Sequence, residues 1–229
     1  MKALEKKKSQ DALKALERAT GKLNILLARD PKLALAPIDV VVSIHDLYAT
    51  VDQIKQARKQ AEAYLEDGEA QKARVQLRGL GSEIVIRVDS IPLETYPAAI
   101  AAVAPLIDQG KTDDAKAALQ AALNTLVLTE HIIPLPLVRA EAHITKAEAL
   151  AQKEARSEED NKDLVKLLTE AREQLKLSES LGYGTKDEYK KFQTEIDGIE
   201  AKTKAGQSPQ GLFDPMKEYV SNLWRSLFK

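Results

Sequence analysis

Residues 57–93 read ARKQAEAYLEDGEAQKARVQLRGLGSEIVIRVDSIPL, and residues 99–135 read AIAAVAPLIDQGKTDDAKAALQAALNTLVLTEHIIPL. At an offset of 42 residues, Ala57, Gly68, Ala73, Leu77, Val85, Ile91, Pro92 and Leu93 fall on Ala99, Gly110, Ala115, Leu119, Val127, Ile133, Pro134 and Leu135. Leu65, Ile84 and Ile86 fall on Ile107, Leu126 and Leu128. Each copy reads as a helix, a tight glycine turn, a second helix and an extended Ile-Pro-Leu exit. Glycine accepts the positive φ of a helix C-terminus, and proline disfavours helix in the residue before it. Gly79 and Gly81 fall inside the second helix of the first copy on this reading, opposite Ala121 and Leu123, as a close helix contact or a kink. Helical-hairpin arrays need about three units to stabilise one another. Two copies therefore predict one duplicated hairpin within a bundle and not a solenoid.

Outward from the repeat the period stays helical. Leu13, Leu16, Leu23 and Leu27 recur every three or four positions and predict a helix ending near Arg29. Asp30 with Pro31 reads as the N-cap and first residue of a short connector that Pro37 stops. Val40, Val41, Val42 and Ile44 fit either an extended segment or the start of the next helix, which is expected from about Asp46 to Asp67 and is ended by Gly68. The two Ile-Pro-Leu segments, flanked by Pro97 and Pro136, are expected to pair as a minimal ribbon, with little β-structure beyond it.

A helix follows Pro136 to Leu150. Another opens at the capping box Ser157 and Asp160 with the apolar face Leu164, Leu167, Leu168, Ala171, Leu175 and Leu181, and is ended by Gly182 and Gly184. A cleaner box, Thr185 with Glu188, starts a helix through Phe192, Ile196 and Ile199. The expected fold is mostly α: a multi-helix bundle around two hairpins, one domain over 1–204, a Gly, Ser and Pro linker over 205–211 and an amphipathic helix over 212–229. That last helix carries Phe213, Met216, Tyr219, Val220, Leu223, Trp224, Leu227 and Phe228 at helical spacing, with four of the chain's ten aromatic residues. Such a face normally buries on its own fold. Released, it would be an interaction surface for a partner groove or a membrane, although the helix's charges sum to only +1, weak for anionic lipid.

Composition removes several chemistries. Among the 229 residues, 34 Lys and Arg stand against 35 Asp and Glu, with no basic cluster, so nucleic acid is not an expected partner. Apolar residues make up 44%, enough for a folded core. Without cysteine there is no disulfide framework and no thiolate nucleophile. The longest apolar stretch, Leu33 to Ile44, is broken by Pro37 and Asp39 and falls short of the ~20 residues a spanning helix needs. The basic start, Lys2 to Lys8, has no apolar run after it and does not read as a signal peptide. His45, His131 and His143 share no metal-ligand spacing, and no serine sits in a strand-turn-helix elbow. The expectation is no catalytic residue, no metal and no cofactor.

Four segments carry a family resemblance: Ala19 to Pro31 (ATGKLNILLARDP), Ile91 to Pro97 (IPLETYP), Ala122 to Pro136 (ALNTLVLTEHIIPLP), and Leu181 to Thr185 (LGYGT) with Phe213 and Asp214. Over nearly its whole length the chain resembles the YfdX family. That resemblance implies a mostly helical bacterial protein, usually exported to the periplasm, associated with acid and multidrug stress and without established catalytic residues. A cytoplasmic location is the alternative. The implied partners are other proteins or small apolar molecules, with self-association open. With every carboxylate protonated, the 34 Lys and Arg and three His would leave +37, and that self-repulsion would loosen helix packing and expose apolar faces. A chaperone-like role under acid stress is the expected function, and an interaction module working through the final helix is the alternative.

Overall fold

A computed structural model describes residues 1–205, 207–209 and 211–227, with side chains of the last helix described at 213–218, 221 and 222. The chain is 65% helical, so it is mostly α, with one three-stranded sheet. Its contacts form two compact units, Met1–Val42 with Ile86–Glu130, and Ser43–Val85 with His131–Lys229. A unit boundary falls within each strand.

In the first unit, α1 (Lys2–Glu5) and α2 (Ser9–Arg29) lead into β1 (Leu35–His45). Asp30 terminates α2 and does not start a helix: its Oδ1 accepts from the Lys32 N–H at 3.1 Å in a turn. The unit also holds α5 (Tyr96–Ala101), α6 (Ala104–Asp108) and α7 (Thr112–Leu123). Leu23, Ala36, Leu93, Tyr96, Ile100 and Ala122 form one buried cluster. Leu4, Ala12, Val103, Ile107 and Ala115 form a second.

The other unit opens with α3 (Val51–Glu66) and α4 (Ala70–Leu77). Helix α3 starts five residues later than expected, because Thr50 and Gln53 make a full capping box. Gly79 and Gly81 lie beyond α4 in the connector to β2 (Glu83–Pro92), not inside a helix as expected. After β3 (Val127–Pro134) come α8 (Leu135–Ala151), α9 (Glu158–Leu181), α10 (Lys186–Lys204) and α11 (Phe213–Leu227). Both expected capping boxes open α9 and α10. Leu164, Leu168, Ala171 and Leu175 on α9 pack with Leu137, Ile144, Phe192 and Ile196 in the largest core. Full burial of each such side chain contributes about 1.5–3 kcal/mol, so this core dominates the unit's stability.

The duplication is visible atom by atom. Gly68 has φ +74° and Gly110 has φ +71°. At the first turn the Gly68 N–H donates to the Leu65 carbonyl and the Glu69 N–H to Tyr64. At the second, Gly110 donates to Ile107 and Lys111 to Leu106. These are the paired bonds of a Schellman helix end, repeated at the 42-residue offset. Ala73 and Ala115 are both buried. The copies differ where Pro105 replaces Ala63: proline lacks the N–H that a continuous helix needs, so α5 and α6 stand where α3 runs unbroken. The hairpin α3–α4 belongs to one unit and α5–α7 to the other.

Strand content exceeds the expected pair of Ile-Pro-Leu segments. The undecided run through Val40 and Ile44 is a third strand, and the order is β1-β2-β3. The Leu93 N–H, just past β2, donates to the Ala34 carbonyl just before β1, and the Leu135 N–H, just past β3, donates to the Ser82 carbonyl just before β2. Both pairings are therefore antiparallel.

Candidate functional site: an uncovered apolar sheet

Strand β1 is long and β-branched, and among the described residues most of it is exposed. Ile38, Val40, Val42 and Ile44 are 52–66% exposed. Successive residues of a strand point to opposite faces, so within the first unit Ile38, Val40 and Val42 share the face that also carries Ala36. Ala36 is buried with Ile91 and Leu126 packed in the same cluster; the face thus starts inside the first unit's core and then continues into solvent. On β3, Leu128 is 62% and Ile132 37% exposed. The antiparallel register set by Leu135 and Ser82 places Leu128 opposite Asp89 and Glu130 opposite Arg87, on this same face. Arg87 Nε lies 3.1 Å from Asp89 Oδ1, an i, i+2 pair of opposite charges on the middle strand. The opposite face shows less: Val41 is 40% and Val127 37% exposed, with Ile84, Ile86 and Val88 half-buried.

Within the second unit a polar network forms around Ser82. Arg139 on α8 holds Asp46 with two bonds, Nη1 to Oδ1 at 3.1 Å and Nη2 to Oδ2 at 2.6 Å. The Arg139 bond lowers the Asp46 pKa below its ordinary value, and the Ser82 hydroxyl, which donates to Oδ1 at 3.1 Å, adds to the effect. The Ser82 N–H donates to the Tyr183 hydroxyl, which in turn donates to Glu83. Burial first, and then the Glu83 carboxylate, push the Tyr183 phenol well up. The Tyr189 hydroxyl donates to the Tyr183 carbonyl at 2.9 Å. Ser82 is wholly buried, and Asp46 is committed to its cation. The network therefore fastens α8 and the end of α9 to the ends of β1 and β2, and presents no reachable nucleophile and base.

A cleft of about 660 Å³ is lined by Lys55, Arg58, Lys176 and Lys186 with Glu179 among them. Arg58 Nη1 donates to the Ser180 carbonyl at 2.9 Å, satisfying one of the orphan acceptors at the end of α9. The lysines stand near that same negative helix end, so helix-end chemistry accounts for the cleft's charge.

The residues singled out as an interaction surface separate. Phe213 and Met216 are buried in the second unit's largest core with α8–α10, and Lys217 reaches Glu148 at 2.8 Å. These two side chains are core and not surface. Tyr219, Val220, Leu223, Trp224 and Leu227 lie on α11 with side chains outside the described set, and Phe228 lies outside the described residues. The histidines do not meet. His45 is exposed at the end of β1 and His131 on β3, while His143 on α8 places Nδ1 3.1 Å from Glu170. Asp46, next to His45, is bonded to Arg139 and Ser82. Among the described residues no group of three His, Asp or Glu converges to hold a metal ion, and no helix is long and apolar enough to cross a membrane.

Sequence reasoning missed the exposed sheet because β-branched residues on both faces of a strand read as buried. It missed the Ser82 network because its members are 36 to 101 residues apart.

The YfdX protein family model matches residues 1–132. No curated protein matches the chain. A solved structure, that of Salmonella Typhi YfdX, is similar at 19% identity and a TM-score of 0.39, covering 58% of this chain and 83% of that one. With the family model spanning more than half of its length, the chain belongs to the YfdX family.

Proposed function

We propose that this chain is a non-enzymatic binding protein of the bacterial envelope that holds other polypeptides or small apolar molecules during stress, acid stress included. The observation that carries this reading is the exposed apolar run Ile38, Val40 and Val42 along β1 of the first unit. Monomeric proteins rarely expose contiguous apolar patches of several hundred Å² unless something binds there. An unfolding client offers matching surface: exposed apolar side chains and unpaired backbone groups that an open strand edge satisfies. Acid adds to this capacity, since protonated carboxylates leave the chain's cations unbalanced and loosen its helices. The periplasmic setting comes from the family resemblance, and an osmotic-shock fraction containing the protein would support it.

Light scattering of an unfolding client tests the function at neutral and acid pH. Suppression is expected at both and is stronger in acid. Val40→Lys with Val42→Lys, which charges the apolar stripe without touching a core residue, should abolish most of it. No suppression at either pH overturns the reading.

A further inference from the structure

The second unit gathers more positive charge in one cleft than its surroundings offset. That cleft, of about 660 Å³, is walled by Lys55 and Arg58 of α3, Lys176 of α9 and Lys186 at the start of α10, with Glu179 as the one acid among its described lining residues. We infer that it binds a small anion carrying two or more phosphate groups. The site lies wholly within the second unit and does not depend on the exposed run of β1.

The charge is largely unspent. Among the described residues Lys55, Lys176 and Lys186 pair with no carboxylate, and Arg58 commits Nη1 alone, to the Ser180 carbonyl. The end of α9 draws these cations to one place without balancing them. It carries about half a negative charge, while the starts of α3 and α10, which reach the cleft at Val51 and Lys186, carry about half a positive charge each. Four cations against Glu179 leave +3 in a chain whose net charge is -1. The kind of cation narrows the ligand. An arginine fork best meets a planar carboxylate, whereas lysines act as mobile point charges suited to phosphate oxygens along a flexible ligand, and three of these four cations are lysines. One phosphate carries at most about two charges, fewer than the excess; a chain of two or three phosphates matches it. The volume lies in the range of about 300–1,000 Å³ typical of small-ligand sites. No aromatic ring is among the described lining residues, so nothing there stacks on a nucleobase, and recognition falls on the phosphates themselves.

Isothermal titration calorimetry of the full chain with inorganic tripolyphosphate, free of divalent metal, tests the inference. One ion per chain with a Kd of about 10–100 µM is expected at low ionic strength, weakening at least about tenfold in about 0.5 M salt, which screens exposed charges. Lys176→Gln with Lys186→Gln should weaken binding by at least about tenfold, and Lys55→Gln added to them should abolish it. All three side chains are exposed, so the ligand-free variants should melt where wild type melts. Lys14→Gln with Lys22→Gln removes the same charge from exposed positions on α2 and should leave Kd within about twofold. ATP separates a nucleotide from free oligophosphate and should bind no tighter than tripolyphosphate. Orthophosphate and citrate should each bind at least about tenfold more weakly. The inference is overturned if tripolyphosphate does not bind, if citrate matches it, or if the α2 pair weakens binding as much as the cleft pair. ATP binding at least about tenfold tighter would overturn it too, since the site would then read a base.

Discussion

Asp46 shows how one side chain holds several elements. Its carboxylate accepts from Arg139 and from buried Ser82, so Asp46→Ala strands a donor on each. The cost expected from urea denaturation at neutral pH is about 1 kcal/mol, the low end for a buried unsatisfied group, because Arg139 is 40% exposed and screened by solvent. The sign with pH follows from the lowered carboxylate. A group whose folded pKa lies below its unfolded value of 3.8 stabilises above 3.8, and the contribution is lost as pH falls through the folded value. Wild type and Asp46→Ala should therefore converge below pH 3.8 and differ fully above it. Asp160, held by Lys153 and by the Ser157 cap, is lowered to about 2, and a carboxyl NMR titration should find it there. Glycines give the opposite pair of outcomes. Gly110→Ala meets no atom within 4 Å but must adopt φ +71°, at a cost of about 1–2 kcal/mol. Gly21→Ala, inside α2 with open space around it, should stabilise by about 0.5–1 kcal/mol. Thermal melts of the two variants should move in opposite directions.

Elements were legible wherever the signal was local. Gly68, Gly110, Ser157, Thr185 and Gly182 mark helix ends through chemistry contained in a few residues, and the structure has helix ends at all of them. Thr50 with Gln53 carried the same signal, but it lay behind a β-branched run that suits strand and helix alike. Length misled at β1, since apolar residues on both faces of a strand normally mean that both faces are covered. At the candidate surface the legible part was the amphipathic final helix, and its first turn is core. Phe213 is 2% exposed and Met216 fully buried, so Phe213→Ala should cost about 3–5 kcal/mol and lower the melting temperature by several degrees. Truncation before residue 212 should do at least as much. A truncated chain that melts where the full one does would show the helix to be undocked.

At the scale of the whole molecule, two of the three buried clusters, one in each unit, predict two responses. Leu168 lies in the α8–α10 core and Ile100 in the cluster with α2 and α7. Native-state hydrogen exchange should show Leu168→Ala accelerating amides of α8, α9 and α10, and Ile100→Ala accelerating those of α2, α5 and α7. Uniform acceleration by either variant would mean that the cores unfold as one. The unit boundaries at Val42/Ser43, Val85/Ile86 and Glu130/His131 have an evolutionary consequence. A chain that changes unit three times cannot lose or lend either one as a single run of codons. Any transfer of one continuous stretch therefore carries only part of a helical body, and joining the new ends of the chain elsewhere keeps the same alternation.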